Sequence, residues 1–246
     1  MLVIPKTKIR TSTLLLLATV SLLSCQHHNK YIIEGSGNVV TVRREVTENF
    51  SRIEVSNALE ANIEQGNHPE IVVEADDNLQ NSIVTKIENG TLFIRRENGN
   101  FNSEKPQKVY IKIPVIEELT ANSASSIKTK NTLKGENISL NASSAAKIEA
   151  QLSIDNIKAS SSSASKIEIK GMALNLDAEA TSASNISAGD LLANSITAES
   201  SSGSKINIHP IVSLKAEASS GGKIEYNNNP KHIEKTTSSG GDISED

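Results

Sequence analysis

Histidine and cysteine, the side chains that most readily bind metals or act as nucleophiles, are scarce in this 246-residue chain. His27 and His28 are adjacent in a polar stretch just after Cys25, the only cysteine. The other three histidines stand singly at predicted turns: His68, His209 and His232. No two of these three have the spacing of metal ligands on one strand. The sequence therefore predicts no metal site and no cofactor.

Serine occurs in short clusters, and a serine nucleophile would need an activating base at a fixed place. Neither Ala142–Ile148 nor Ser161–Ile167, two representative clusters, contains such a base. Small residues suit tight bends, because they tolerate positive φ or add little bulk, and serine hydroxyls can bind backbone groups that a bend leaves free. The serines are predicted to shape bends, and no residue is predicted to be catalytic.

Charged residues flank one isoleucine in several of these clusters. Lysine precedes it and glutamate follows it, so both side chains should point outward from a strand, as in Lys147-Ile148-Glu149 and Lys166-Ile167-Glu168. Lys205, Lys223 and Glu225 continue the pattern, whereas Asn185 and Asn207 interrupt it. A solvated charged face is the simpler expectation. A charged ridge that recognises a polymer is the alternative.

The elements that carry these residues repeat along the second half of the chain. The clusters end at isoleucines 127, 148, 167, 186, 206, 224 and 243, which are 18 to 21 residues apart. Apolar or small residues alternate before each cluster, as in Leu174, Leu176, Ala178 and Ala180, and again after it. Period two indicates strands, so each repeat should hold at least two short strands joined by a corner. Units this small must stack, which predicts a parallel β-solenoid over residues 115–246; a twisted antiparallel sandwich is the alternative.

Residues 38–114 show longer alternating segments and predict a less regular β module that caps the stack. Asn89-Gly90 predicts a type I′ hairpin, residues 66–69 a turn, and residues 98–106 a polar loop. The predicted strands are Val39 to Val46, Arg52 to Val55, Ala58 to Gln65, Glu70 to Ala75, Ile83 to Glu88, Thr91 to Arg96 and Lys108 to Ile113.

The amino-terminal residues are predicted to direct export. Residues 1–24 combine three basic residues with a short apolar run, which is typical of a signal peptide, and Leu22-Leu23-Ser24-Cys25 resembles a bacterial lipobox. Cys25 is therefore the predicted lipidation site, residues 25–37 a tether, and the membrane a partner through the lipid anchor. By resemblance to bacterial lipoproteins, Gln26 favours an outer-membrane location. The sequence leaves open whether the protein faces the periplasm or the cell surface.

Composition excludes some partners. The formal charge of the chain is −4, and removing a signal peptide with three basic and no acidic residues leaves −7, which argues against nucleic acid. Three Phe, three Tyr and no Trp leave few aromatic platforms, and Tyr31, Tyr110 and Tyr226 lie far apart. An enzyme acting on sugars or a strong lectin is therefore disfavoured.

The chain contains a series of characteristic phrases in this order: Gly35–Asn38, Phe50–Val55, Val72–Leu79, Asn89–Leu92 and the later serine clusters. Together they resemble the GIN domain family of auto-transporter adhesin heads. This resemblance implies a right-handed single-stranded parallel β-helix with a β-rich amino-terminal part. It carries over no catalytic residue, because the family offers none.

These observations favour a non-enzymatic, lipid-anchored protein of the cell envelope with a β-helical binding or adhesin-like head. A protein or polysaccharide ligand is expected, and the ligand-binding residues are unknown at this stage. Two alternatives remain: a carbohydrate-binding or carbohydrate-active β-helix, and a periplasmic scaffold or stress-response component.

Overall fold

A computed structural model describes residues 32–97 and 100–246. The predicted signal peptide, Cys25 and the His27-His28 pair lie outside the described residues. The fold is nearly all β, with 65% strand and 3% helix, and the chain forms a β-solenoid of about 7 turns. The predicted fold is therefore confirmed, and since the coils pair in parallel the antiparallel sandwich is excluded.

The amino-terminal part contains nine strands and a 3-10 helix, Asp77–Ser82. The strands are β1 Ile32–Glu34, β2 Val39–Arg44, β3 Arg52–Val55, β4 Glu60–Gln65, β5 Glu70–Asp76, β6 Ile83–Glu88, β7 Thr91–Arg96, β8 Asn100–Asn102 and β9 Lys108–Ile113.

The remaining ten strands build the stack. They are β10 Glu118–Ala121, β11 Ser126–Thr129, β12 Leu133–Ala142, β13 Lys147–Ser161, β14 Lys166–Ala180, β15 Asn185–Ser200, β16 Lys205–Ala218, β17 Lys223–Tyr226, β18 His232–Thr237 and β19 Asp242–Glu245. Each coil pairs with the next so that equivalent residues lie in register, as Ile148 does with Ile167 and Ile167 with Ile186. These isoleucines form a column that is fully buried, and they supply much of the apolar core.

Most coils contain one long strand instead of the two short strands predicted. Strands β13 to β16 are 14 to 16 residues long. The β13–β14 ladder keeps one register from Lys147 to Ser161 and skips only the Asp155–Leu174 pair, which lies at the bend. The burial of the side chains marks the position of the bend. Two consecutive residues are exposed at 155–156 and at 174–175, and there the alternation of buried and exposed side chains shifts by one position. Only the serine corner interrupts the strand.

The amino-terminal strands extend the first coil and cover its end. Strand β3 pairs in parallel with β7 and β10, and β4 pairs in parallel with β9 and β11. Beyond them, β6 pairs antiparallel with β7, and β5 pairs antiparallel with β9 and β2. Coil pairing starts at β3 and β4, within the range 38–114, so one continuous sheet joins the two predicted parts.

Two short strands correct the sequence interpretation. Strand β1 lies in the predicted tether and β8 in the predicted loop 98–106, and they pair in parallel. Both are three residues long, which is too short for alternation to identify a strand, and Ile32–Glu34 is exposed throughout. The hairpin of β6 and β7 is as predicted, because Asn89 and Gly90 both have positive φ.

Candidate functional site

The serine corners are tight turns made by two consecutive left-handed residues. Ser163 and Ala164, for example, have φ of 53° and 60°, and the N–H of Ser165 donates to the carbonyl of Ser162 at 3.2 Å. This is the geometry of a type I′ turn. The left-handed pairs are 57/58, 123/124, 144/145, 163/164, 182/183, 202/203, 220/221 and 239/240. Successive corners also bind each other: the N–H of Ala164 donates to Ser182 at 3.0 Å.

Buried serines fasten four of the eight corners to the coil before them. The Ser165 hydroxyl donates to the Ala142 carbonyl at 2.8 Å, and the Ser184 hydroxyl donates to the Ser161 carbonyl at 2.7 Å. Ser125 and Ser204 make the equivalent bonds. Since each hydroxyl donates to a backbone carbonyl, these serines have a structural role, as the sequence predicted.

One corner was missed in the sequence, and it explains a wrong strand boundary. Asn57 and Ala58 form the first left-handed pair, so β4 begins at Glu60 and not at Ala58. The signal was present as Ser56-Asn57-Ala58 before Leu59, three small residues ahead of an apolar one, but it lacks the lysine and isoleucine of the later copies.

The lysines and glutamates after the corners form a charged face in which the two rows pair with each other. Lys147 Nζ lies 2.5 Å from Glu149 on its own strand and 3.2 Å from Glu168 on the next coil. Lys128 and Lys166 extend this zigzag. Hydrogen bonds from Lys147, then Lys128, hold the pKa of Glu149 below its usual value. Pairing between the rows therefore offsets the repulsion between like charges within each row, and the asparagine interruptions at 185 and 207 divide the face.

A second surface, on the strand segments that precede the corners, forms an elongated groove of about 650 Å³. We call it the polar groove. It crosses five coils, from Glu117 beside β10 to Glu199 on β15. Its polar lining consists of Glu117, Asn137, Ser139, Asn156, Lys158, Asn175, Asp177, Ser195, Thr197 and Glu199.

An asparagine ladder runs along the polar groove, at the bend of the coils. Asn156 Nδ2 donates to Asn137 Oδ1 at 3.1 Å, and Asn175 Nδ2 donates to Asn156 Oδ1 at 2.8 Å. Ser195 and Ser213 continue the row, joined by a hydroxyl contact of 2.9 Å. Asn156 Nδ2 also donates to the Glu136 carbonyl at 3.3 Å, so both of its N–H groups are used within the protein. Among the described residues, Asn137 and Asn175 keep N–H groups for a ligand, and all three amides keep a carbonyl lone pair. The ladder was missed, although Asn137, Asn156 and Asn175 recur at one repeat length and could have been noticed.

The charges in the polar groove are mixed but mostly acidic. Asp177 and Glu199 form no ion pair among the residues that the structure describes, and Lys158, in register with Asp177, forms none either. Glu117 accepts a hydrogen bond from Ser51. Its lining includes no aromatic side chain. The surface therefore offers hydrogen-bond donors, acceptors and a few free charges in a periodic array.

A third surface is apolar and was not foreseen. Five large apolar side chains on three successive coils are 39–59% exposed: Met172, Leu174, Leu192, Ile211 and Val212. Leu174 was predicted to point inward, and that prediction is wrong, since the bend at 174–175 turns it outward. We call this surface the apolar ridge. Exposed apolar patches of this kind commonly mark contact surfaces.

The remaining candidate residues are scattered. His68 and His232 are exposed, His209 is half-buried, and Tyr226 is buried, with Lys235 Nζ 4.4 Å from its ring centre. In the ranges 32–97 and 100–246, no group of three or more His, Cys, Asp or Glu side chains is arranged to hold a metal. No helix in the same ranges is long and apolar enough to cross a membrane.

Solved structures with the same fold come from species of Bacteroides and Parabacteroides. A "putative adhesin" of Bacteroides fragilis NCTC 9343 has a TM-score of 0.79 and 18% identity, over 87% of this chain and 100% of that one. A "putative adhesin" of Parabacteroides merdae ATCC 43184 has a TM-score of 0.71 and 19% identity, over 87% and 99%. A "putative lipid binding protein" of Parabacteroides distasonis ATCC 8503 has a TM-score of 0.68 and 20% identity, over 88% and 100%. At these identities the likeness shows the fold alone.

Sequence comparison gives the family. Curated proteins provide no significant match. A family model described as "Putative auto-transporter adhesin, head GIN domain" matches residues 49–230, about three quarters of the chain. This match indicates an adhesin-like protein of the extracellular space or cell envelope, and a non-enzymatic class. The chain belongs to the GIN domain family of auto-transporter adhesin heads.

Proposed function

We propose that this protein is a non-enzymatic, lipid-anchored protein of the bacterial outer membrane, whose solenoid head captures an extended polymer in the polar groove. The observation that carries the proposal is the length of the groove: it crosses five coils, and on four of them Asn137, Asn156, Asn175 and Ser195 lie in register in one polar row. A compact substrate would use only part of such a surface. Membership of an adhesin-head family supports a capturing role.

The anchor is proposed from the sequence around Cys25. Leu22-Leu23-Ser24-Cys25 supplies the lipobox-like signal, and Gln26 favours the outer membrane. The seven residues from Cys25 to Tyr31 could reach at most about 25 Å before β1 begins. A lipid on Cys25 would therefore hold the head close to the membrane.

The serine corners support a role without catalysis. A serine nucleophile needs its hydroxyl hydrogen-bonded to a base. Here Ser125, Ser165, Ser184 and Ser204 donate instead to backbone carbonyls, in buried positions where a substrate has no access.

The anchor is tested by labelling cells with a radioactive fatty acid. The natural protein should take up the label and sediment with outer membranes, while the Cys25→Ser variant should do neither. Equal labelling of both proteins would remove the lipid anchor from the proposal.

Exposure and capture are tested on intact cells. Added protease should remove the head while a periplasmic control protein survives; a protected head would instead favour the periplasmic scaffold. Adhesion of cells to an extracellular matrix preparation should fall when Asn156 is changed to Ala. The matched variant is Asn194→Ala, an exposed asparagine outside the polar groove. Equal adhesion of the two variants would contradict capture through the groove.

A further inference from the structure

The rows of the polar groove repeat at the distance between coils. Asn156 pairs in register with Asn175, and Asn175 with Ser195, so their side chains follow one another at the strand spacing of about 4.8 Å. Lys158, Asp177 and Thr197 form a second row beside the first. A ligand that places one unit against each coil must therefore advance by nearly this distance per unit.

This spacing discriminates between polymers. In an extended peptide, side chains on one face recur every two residues, which is about 6.6 Å, so they would fall out of phase with the coils within a few turns. A chain of pyranose rings joined through equatorial 1,4-linkages advances by nearly one coil spacing per ring, so one ring can face each coil, and successive rings are turned over so that alternate coils meet opposite ring edges. Its hydroxyl groups can both donate to and accept from the free N–H groups and lone pairs of the ladder.

The charges that line the polar groove further restrict the class of polymer that can bind there. Three carboxylates, those of Glu117, Asp177 and Glu199, face the groove against one lysine, Lys158. A polyanion such as a polyuronate would bring like charges together. With no aromatic side chain in the lining, recognition has to come from hydrogen bonds, which suits a neutral and heavily hydroxylated chain.

We propose that the polar groove binds one extended strand of a neutral β-1,4-linked polysaccharide, with one sugar ring against each coil. This inference rests on the proposed function and names its ligand class. The groove covers five coils, so about five rings can be accommodated over about 19 Å between the first and the last. Binding is weak for each ring and accumulates along the chain.

The test measures binding of the full mature chain, made soluble by Cys25→Ser, to oligosaccharides of increasing length by isothermal titration calorimetry. The probes are β-1,4-linked gluco-, manno- and xylo-oligosaccharides, from the disaccharide to the octasaccharide, with an oligogalacturonate series as the anionic comparison. For at least one neutral series, affinity should rise about two- to tenfold with each added ring, the range that one net hydrogen bond provides. The rise should stop near the pentasaccharide, and the oligogalacturonates should bind more weakly.

Variants test whether the oligosaccharides bind at the asparagine ladder of the polar groove. Asn156→Ala and Ser195→Ala should each weaken binding of the longest bound oligosaccharide, Asn156→Ala by about tenfold. Asn194→Ala should leave it unchanged. Asn156 and Asn194 are both exposed, so circular dichroism should show all variants folded.

Three results would overturn the inference: no binding in any neutral series, affinity independent of length, or equal effects of Asn156→Ala and Asn194→Ala. If cells lose adhesion through Asn156→Ala while every oligosaccharide fails to bind, the capturing function stands and the ligand class is wrong. If adhesion is also unaffected, both proposals fail.

Discussion

Leu174 and Leu176 lie two residues apart on β14, yet Leu174 is 49% exposed and Leu176 is 2% exposed. In a flat strand both would face the same side, because side chains alternate with a period of two. Here the strand bends at Asn175, where two exposed residues adjoin and the alternation slips by one. The bend turns Leu174 onto the apolar ridge and leaves Leu176 in the core beneath the polar groove.

The different burial of Leu174 and Leu176 predicts that replacing each by alanine lowers the free energy of unfolding by different amounts. Leu176→Ala should lower the free energy of unfolding by about 2–5 kcal/mol, because it leaves a cavity in a close-packed stack. Leu174→Ala should lower it by less than about 1 kcal/mol, since half of that side chain is already in water. Urea unfolding of both variants checks this, and similar losses would contradict the bend.

Much of the fold could be predicted because local signals and packing agree. The Asn89-Gly90 turn has two positive φ values, and β3, β6, β7 and β9 have the predicted ends. The corners were predictable for the same reason: Ser, Ala and Gly at one place in each repeat report a backbone that tolerates little bulk. Repetition amplified a signal that one copy would have left weak.

What escaped prediction depends on contacts between distant residues. The β1–β8 pair joins residues near 33 to residues near 101, and neither segment alternates. The outward turn of Leu174 depends on a bend that no glycine or proline marks at that point. The charged face was predicted as rows, but pairing between rows requires the coil register, which places Lys147 beside Glu168. The ladder of the candidate site follows from the same register.

Gly171 is predicted to be indispensable to its coil. It has φ of 120°, and a Cβ added there would lie 1.9 Å from the carbonyl oxygen of Leu152 on the neighbouring coil. Gly171→Ala should therefore lower the free energy of unfolding by more than about 2 kcal/mol, because it strains the backbone and displaces the paired strand of the neighbouring coil. Gly135→Ala is the matched variant, because a Cβ there meets nothing within 4 Å and its φ is ordinary; it should change stability little. Comparable thermal unfolding of the two proteins would refute this.

The corners predict opposite effects for exchanging alanine and glycine. Ala164 has φ of 60°, and left-handed backbone costs an L-residue about 1–2 kcal/mol, whereas the added freedom of glycine in the unfolded chain costs only about 0.4–1 kcal/mol. Ala164→Gly should therefore raise the free energy of unfolding by about 0.5 kcal/mol. Gly203→Ala, at the equivalent place with open space around it, should lower it by a similar amount. Denaturant titrations that give both changes the same sign would exclude conformational strain as the cause.

The charged face predicts how stability depends on pH. Hydrogen bonds from lysines lower the pKa values of Glu149, Glu168 and Glu225 below 4.5, so the stability they contribute is present above pH 4.5 and is lost as pH falls through the lowered values. Glutamate partners raise the pKa values of Lys147 and Lys223 above 10.5, so that contribution is present below pH 10.5 and is lost as pH rises further. Stability from this face should be level between the two limits.

Replacing Glu149, Glu168 and Glu225 by glutamine tests the predicted loss of stability at low pH. The triple variant should be less stable than the natural protein at pH 7, by no more than about 1 kcal/mol per ion pair because the pairs are partly solvated. The difference between the two proteins should shrink as pH falls well below 4.5, where the natural carboxylates become protonated. Glu179→Gln is the control, since Glu179 forms no ion pair among the described residues. The measurement is the urea midpoint of unfolding of the natural protein and the triple variant between pH 7 and pH 3. If the difference between the two midpoints stayed constant over this range, the ion pairs of the charged face would contribute nothing to stability.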